Sequence, residues 1–142
     1  MSQRRTVLLV EDNRAEARLI QESLRDEHIN LSLHHVLDGE QALDFLHRRG
    51  AHIGAPRPEL VLLDLNVPKR SGRDVLCEIK RTPGLCAIPV VVLTTSDRDE
   101  DVSWCYAHHC NAYISKPLGF RELGAVLRKL MAFWFEATTL LR

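Results

Sequence analysis

Four short apolar runs each end on a polar residue, and no other feature of the chain constrains its fold as strongly. Val7 to Val10 runs into Glu11 and Asp12, Leu60 to Leu63 into Asp64, Val90 to Leu93 into Thr94, and Tyr113-Ile114-Ser115 into Lys116, with Pro117 next. Unbroken apolar runs of this length mark parallel strands buried on both faces. The polar residues at their ends are therefore expected to meet at one sheet edge, where ligands of open α/β sheets bind. Three carboxylates gathered there repel one another unless a cation neutralises them. A divalent metal is the expected occupant.

Amphipathic stretches separate the apolar runs. Strands are expected over Thr6–Val10, Leu31–Val36, Leu60–Leu65, Val90–Thr94 and Ala112–Ser115, and helices over Arg14–Arg25, Glu40–Arg49, Arg73–Lys80, Asp97–His109 and from Phe120 onward. Five strands in strict alternation with five helices imply a doubly wound α/β fold, a five-stranded parallel sheet joined by right-handed crossovers. Helical spacing gives apolar faces of Ala17, Ile20 and Leu24; Ala42, Phe45 and Leu46; Gly72, Val75, Leu76 and Ile79; and Val102, Cys105, Tyr106 and His109. Ser96 with Asp99 has the spacing of a capping box and is expected to open the fourth helix. Residues 50–58, with two glycines and two prolines, form a surface loop.

The 142 residues suit one domain. Acidic and basic side chains balance at 19 each, so no global field draws the chain to nucleic acid or an anionic membrane. The apolar stretch before Glu11 is too short for a secretory signal, and no run approaches the roughly 20 residues that span a bilayer. A cytoplasmic location is expected. Cys77, Cys86, Cys105 and Cys110 contain no Cys-x-x-Cys pair and read as ordinary thiols. Cys105, His108, His109 and Cys110 are adjacent in sequence, but on a helix they point in different directions rather than at one ion.

Four segments together resemble the receiver domains of two-component response regulators. They are Leu8-Leu9-Val10-Glu11-Asp12-Asn13; Leu62-Leu63-Asp64-Leu65-Asn66-Val67-Pro68 with Gly72; Ile88-Pro89-Val90-Val91-Val92-Leu93-Thr94-Thr95; and Asn111-Ala112-Tyr113-Ile114-Ser115-Lys116-Pro117. The resemblance implies a flavodoxin-like strand order 2-1-3-4-5. It implies that Asp64 accepts a phosphoryl group from a sensor histidine kinase, forming an aspartyl phosphate. Mg²⁺ would be held by Asp12, by Glu11 through water, by Asp64 and by the backbone carbonyl of Asn66. Lys116 and Thr94 would meet phosphoryl oxygens, and a cis Lys116–Pro117 bond would aim the amine inward. Thr94 and Tyr113 would form the switch, Tyr113 rotating inward as Thr94 moves toward phosphate.

Residues 1–130 then correspond to the receiver and residues 131–142 to an apolar extension of the last helix, with no effector domain expected. Phe120, Leu123, Leu127, Leu130 and Trp134 form a stripe that can cover the sheet, whereas Val126, Phe133, Phe135, Leu140 and Leu141 add apolar surface elsewhere. Successive aromatics on a helix point about 100° apart, so one small core cannot hide Phe133, Trp134 and Phe135 together. A homodimer using Val126, Phe133, Trp134 and Phe135 is the expected solution. Softer features resemble the single-domain regulators that serve phytochrome-type kinases: Gly39-Glu40-Gln41-Ala42-Leu43, the proline-containing loop before Leu60, Asp64-Leu65-Asn66-Val67-Pro68, Asn111-Ala112-Tyr113-Ile114 and the apolar tail.

Self-catalysed phosphotransfer and dephosphorylation, rather than metabolic catalysis, follow from this reading. A haloacid-dehalogenase-like phosphatase also uses a nucleophilic aspartate with Mg²⁺, but needs an acid two residues later, where Asn66 stands. A receiver-like module that only dimerises would have no use for so complete an acidic set. No glycine-rich phosphate loop follows the first strand. Flavin binding stays open, since the same sheet order serves flavodoxins.

Overall fold

The computed structural model describes residues 4–25 and 29–140. Five strands, β1 (Arg5–Val10), β2 (Leu31–Val36), β3 (Leu60–Leu63), β4 (Val90–Thr94) and β5 (Ala112–Ser115), form one parallel sheet in the order β2-β1-β3-β4-β5. The helices are α1 (Arg14–Ser23), α2 (Gly39–His47), α3 (Gly72–Arg81), α4 (Asp99–Ala107) and α5 (Phe120–Ala132), with a 3₁₀ turn at Gly50–His52 and a π-helical turn at Phe133–Ala137. Among the described residues no helix is long and apolar enough to cross a membrane. The four cysteines are free thiols.

The central strands are apolar from Val7 to Val10, Leu60 to Leu63 and Val90 to Leu93 because each face has its own helical cover. Leu8, Val10, Val61, Leu63, Val90 and Val92 pack with residues of α2, α3 and α4. Val7, Leu9, Leu60, Leu62, Val91 and Leu93 pack with Ala17 and Ile20 of α1 and with Leu123, Leu127 and Met131 of α5. Period-two alternation thus feeds two cores instead of one core and solvent. The register places Val10 opposite Val36 and Leu63, and Leu63 opposite Val92, so β1, β3 and β4 reach one level together. This alignment brings Glu11 and Asp64 side by side.

Side-chain caps fix where three helices begin. Asn13 accepts from the Glu16 N–H, Asp38 from Gln41 and Ser71 from Asp74, each satisfying a backbone donor that the helix leaves free. The expected capping box at α4 is corrected: the helix starts at Asp99 after Arg98, with no side-chain cap. Ser96 instead donates its hydroxyl to Asp101 and accepts from the Arg98 N–H. On the same helix Cys105 is buried as expected, but Tyr106 is exposed and Trp104 packs on the core in its place.

The last helix departs furthest from its expected stripe. Leu123, Leu127, Met131 and Phe135 are buried, spaced by four, while Phe120 is 64% exposed and Leu130 and Trp134 only border the core. Past Ala132 the helix widens, the Thr138 N–H bonding to the Phe133 carbonyl five residues back. Phe135 therefore packs on its own domain, with the Arg5 guanidinium 5.8 Å from its ring centroid. Its expected place at an outward interface is corrected, and Phe133, 57% exposed, is the most exposed of the three successive tail aromatics. Leu141 lies outside the described residues.

Gly72 joins the fold to the site. A Cβ there would lie 2.3 Å from the Asp64 carbonyl oxygen, because the start of α3 lies directly against the end of β3. Gly72→Ala must push backbone aside, and the expected cost is about 1–3 kcal/mol. Urea denaturation would show it as a lowered midpoint with unchanged slope; an unmoved midpoint would mean that the loop yields freely.

Candidate functional site

The polar residues at the strand ends meet around one ammonium group. Lys116 follows β5, and its backbone N–H bonds to the Thr94 carbonyl at 2.7 Å. Its side chain, 3% exposed, runs back over the sheet edge so that Nζ donates to Glu11 Oε1 at 2.6 Å and to Asp64 Oδ2 at 3.0 Å. The expected cis bond is corrected: the described residues contain no cis peptide, and Lys116–Pro117 is trans. Trans is the lower-energy isomer by about 0.5–1 kcal/mol, and the four-carbon stem reaches the acids without a cis turn.

Each carboxylate is also held by its own loop. Glu11 Oε2 accepts from the Asn13 N–H at 3.0 Å, and Asp64 Oδ1 accepts from the Asn66 N–H at 3.0 Å. Glu11 and Asp64 are buried, and Asp12 is exposed at the rim. One oxygen from each of the three lies within 4.8 Å of the others, the group among the described residues that could hold a metal ion. Hard oxygen donors around an open rim fit a divalent cation that keeps part of its water shell. Thr94 is fully buried, and its hydroxyl has no hydrogen-bond partner among the described residues. A donor left idle in the interior costs free energy, and an incoming oxyanion at this edge would relieve that cost.

Several participants were not identified in the sequence. Glu16, in the first turn of α1, lies 3.1 Å from Lys116 Nζ and makes a third carboxylate on the same ammonium. The available signal was its place one helical turn beyond Asp12. His35 on β2 bonds through Nε2 to the Glu11 carbonyl at 2.7 Å, steadying the acidic turn from the neighbouring strand. Tyr113, assigned to a switch, already points inward: it packs on the α2–α4 side core and donates to the Ser96 carbonyl at 2.8 Å. Ser96 in turn donates to Asp101, which pairs with Arg73 of α3, and the Arg73 guanidinium lies 5.1 Å from the Trp104 ring centroid. The chain of contacts runs from β5 across the β4–α4 loop to α3 and α4.

Charge is unbalanced in this cavity. Burial raises Glu11 from 4.5 to about 7; bonds from Lys116 and the Asn13 N–H oppose the rise, and the Asp64 charge adds to it. Burial alone would lower Lys116, but its bond to Glu11 and the charge of Asp64 outweigh this and hold it above the ordinary lysine value. Between pH 4.5 and 7 the cation-free fold therefore keeps a proton that the unfolded chain has lost. The stability this provides is complete below 4.5 and disappears as pH rises through 7. A divalent cation competes for that same carboxylate. At pH 6 its binding should release about one proton, read by calorimetry in two buffers of different ionisation enthalpy. Release of none would exclude Glu11 as a participant.

Known proteins resemble this chain in sequence and fold. Residues 7–128 match the response regulator receiver domain. The chain is 45% identical over 136 residues to response regulator Rcp1 of Synechocystis, covering 96% of this chain and 92% of that one. It is 43% identical to the probable methanogenesis regulatory protein FilR2 of Methanothrix harundinacea, covering 90% and 82%. Among solved structures, the Mn²⁺-bound form of Rcp1 superposes with a TM-score of 0.92 at 44% identity, covering 97% of this chain and 99% of that one. The phosphorylated cyanobacterial phytochrome response regulator RcpA gives 0.94 at 41% identity, covering 99% and 100%. With its strand order, acidic turn and inward lysine now joined to these similarities, the chain belongs to the response regulator receiver family.

Proposed function

We propose that this receiver domain takes a phosphoryl group onto Asp64 from the phosphohistidine of a sensor kinase and signals through the change that follows. The observation that carries the reading is the partnerless Thr94 hydroxyl, buried at the sheet edge where Lys116 already touches Asp64. An Asp64 oxygen attacks phosphorus, the phosphorus–nitrogen bond breaks, and its electron pair leaves on the imidazole, which carries a proton. Thr94 and Lys116 then offer a hydroxyl donor and a positive charge to two phosphoryl oxygens. Glu11, Asp12, Asp64 and the Asn66 carbonyl are the residues to hold Mg²⁺, which when bound offsets the charge of the transferring group. Asn66 stands where a dehalogenase-type phosphatase needs its second acid, so turnover of a metabolite is not the task.

The response runs through Tyr113. Its inward rotamer is tied to the Ser96 carbonyl, two residues beyond Thr94, so movement of Thr94 toward phosphate acts on a side chain anchored beside it. Phosphorylation is read as a shift of population toward this inward state and toward the associated arrangement of α4, β5 and α5. The kinase is read as phytochrome-type, because the relative RcpA is described as a phytochrome response regulator. The receiver occupies residues 1–130, with 131–142 as its apolar extension. Exposed Phe133 beside half-buried Val126 and Trp134 supports a homodimer built there.

Intact-mass analysis after treatment with a small phosphoryl donor and Mg²⁺ should show one added phosphate in the native protein and none in Asp64→Asn. An adduct that persists in Asp64→Asn, or that needs no Mg²⁺, would overturn the chemistry. Light scattering on the same samples tests the assembly: the native chain should be dimeric and Phe133→Asp monomeric, and monomers at every concentration would end the dimer. Unmoved Tyr113 ring resonances on phosphorylation would remove the tyrosine from the switch.

A further inference from the structure

Lys116 faces more negative charge than phosphoryl chemistry needs. Glu11 and Asp64 touch its ammonium at 2.6 and 3.0 Å, Asp12 completes the acidic group, and Glu16 adds a fourth carboxylate at 3.1 Å. With a divalent cation bound, ionised Glu11, Asp12 and Asp64 balance the cation and Lys116. Glu16 is then one negative charge in excess.

Its position is built rather than incidental. Asn13 caps α1 by accepting from the Glu16 N–H at 3.0 Å, which fixes the first turn, and the carboxylate is only partly exposed. Glu16 and Lys116 line one cavity of about 320 Å³ with Asn13, Thr95 and Pro117, beside the sheet edge. Since Glu16 and Asp64 contact the same ammonium, both lie well inside the roughly 8 Å screening length of physiological salt.

We infer that Glu16 is a positioning and specificity residue: it steadies Lys116 and, by its surplus charge, disfavours dianionic phosphoryl donors relative to donors of lower charge. This rests on phosphorylation of Asp64. Acetyl phosphate enters as a dianion; an Asp64 oxygen attacks phosphorus, the bond to the bridging oxygen breaks, and acetate leaves with the electron pair. Phosphoramidate enters as a monoanion with its nitrogen already protonated; the phosphorus–nitrogen bond breaks and ammonia leaves. The product on Asp64 is the same, so the donors differ in charge on approach. A phosphohistidine protonated on its ring resembles the second, and Glu16 thereby biases the site toward a kinase over free acyl phosphates.

The test compares the two donors at saturating Mg²⁺ on native protein, Glu16→Gln, Glu16→Asp and Asp64→Asn, with folding checked by circular dichroism. Glu16→Gln should raise the acetyl phosphate rate relative to the phosphoramidate rate by about fivefold, the size of one charge acting across a partly solvated site. The change should shrink in high salt, and Glu16→Asp should restore the native ratio. Calorimetry gives a second readout without any donor: Glu16→Gln should weaken Mg²⁺ binding severalfold at low salt only. Equal acceleration of both donors, or an unchanged ratio with unchanged Mg²⁺ affinity, overturns the inference while leaving Asp64 as acceptor. Failure of both donors to label the native protein overturns the Asp64 reading and this inference with it.

Discussion

One ammonium group shared among three carboxylates is the interaction on which the site depends. Lys116 comes from the end of β5, Glu11 from β1, Asp64 from β3 and Glu16 from α1, so the ion pair joins four separate pieces of chain. A single positive charge cannot neutralise three carboxylates once all are ionised, even with Glu16 partly open to water. Burial, with a smaller contribution from the Asp64 charge, holds the Glu11 carboxyl up to about 7. The site is thus tuned to attract more cation. Its stored repulsion is relieved by the hard divalent ions that phosphoryl transfer uses.

Around this charge cluster the backbone leaves little freedom. Gly72 allows α3 to start against the Asp64 carbonyl, and a Cβ at Gly39 would lie 1.8 Å from the Arg70 carbonyl oxygen. The loop between β3 and α3 is thereby held between two helix starts. On the other side, Tyr113, Ser96, Asp101 and Arg73 form a connected polar chain that ends on the Trp104 ring. Networks of this kind favour discrete arrangements over gradual ones, which suits a domain whose task is to report one chemical event at a distance.

Much of this was legible along the chain because burial on both faces removes polar residues from a strand altogether. The runs at Val7 to Val10, Leu60 to Leu63 and Val90 to Leu93 needed no finer pattern, and the acids at their ends stood out by contrast. The outer elements were read less well. α5 buries Phe135 instead of Trp134, since contacts with α1 and β1 and the widened last turn choose which face turns inward. Ser96 has the spacing of a cap but bonds to Asp101, because Asp101 is held in reach by Arg73 from a different helix. Local spacing could not foresee a competitor supplied from α3.

What the amino-acid order determined by itself is the alternation of buried strands with amphipathic helices, and with it the placing of Glu11, Asp12, Asp64, Thr94 and Lys116 at strand ends. Hydrophobic periodicity is local, and it survives without knowledge of neighbours. Only the tertiary structure decided that Glu16 and His35 belong to the same site, that Lys116 reaches inward across a trans bond, and that the Thr94 hydroxyl is left without a partner. Those facts depend on distances between groups far apart in sequence. Coulomb and hydrogen-bond energies act across space, so only the folded chain could set them.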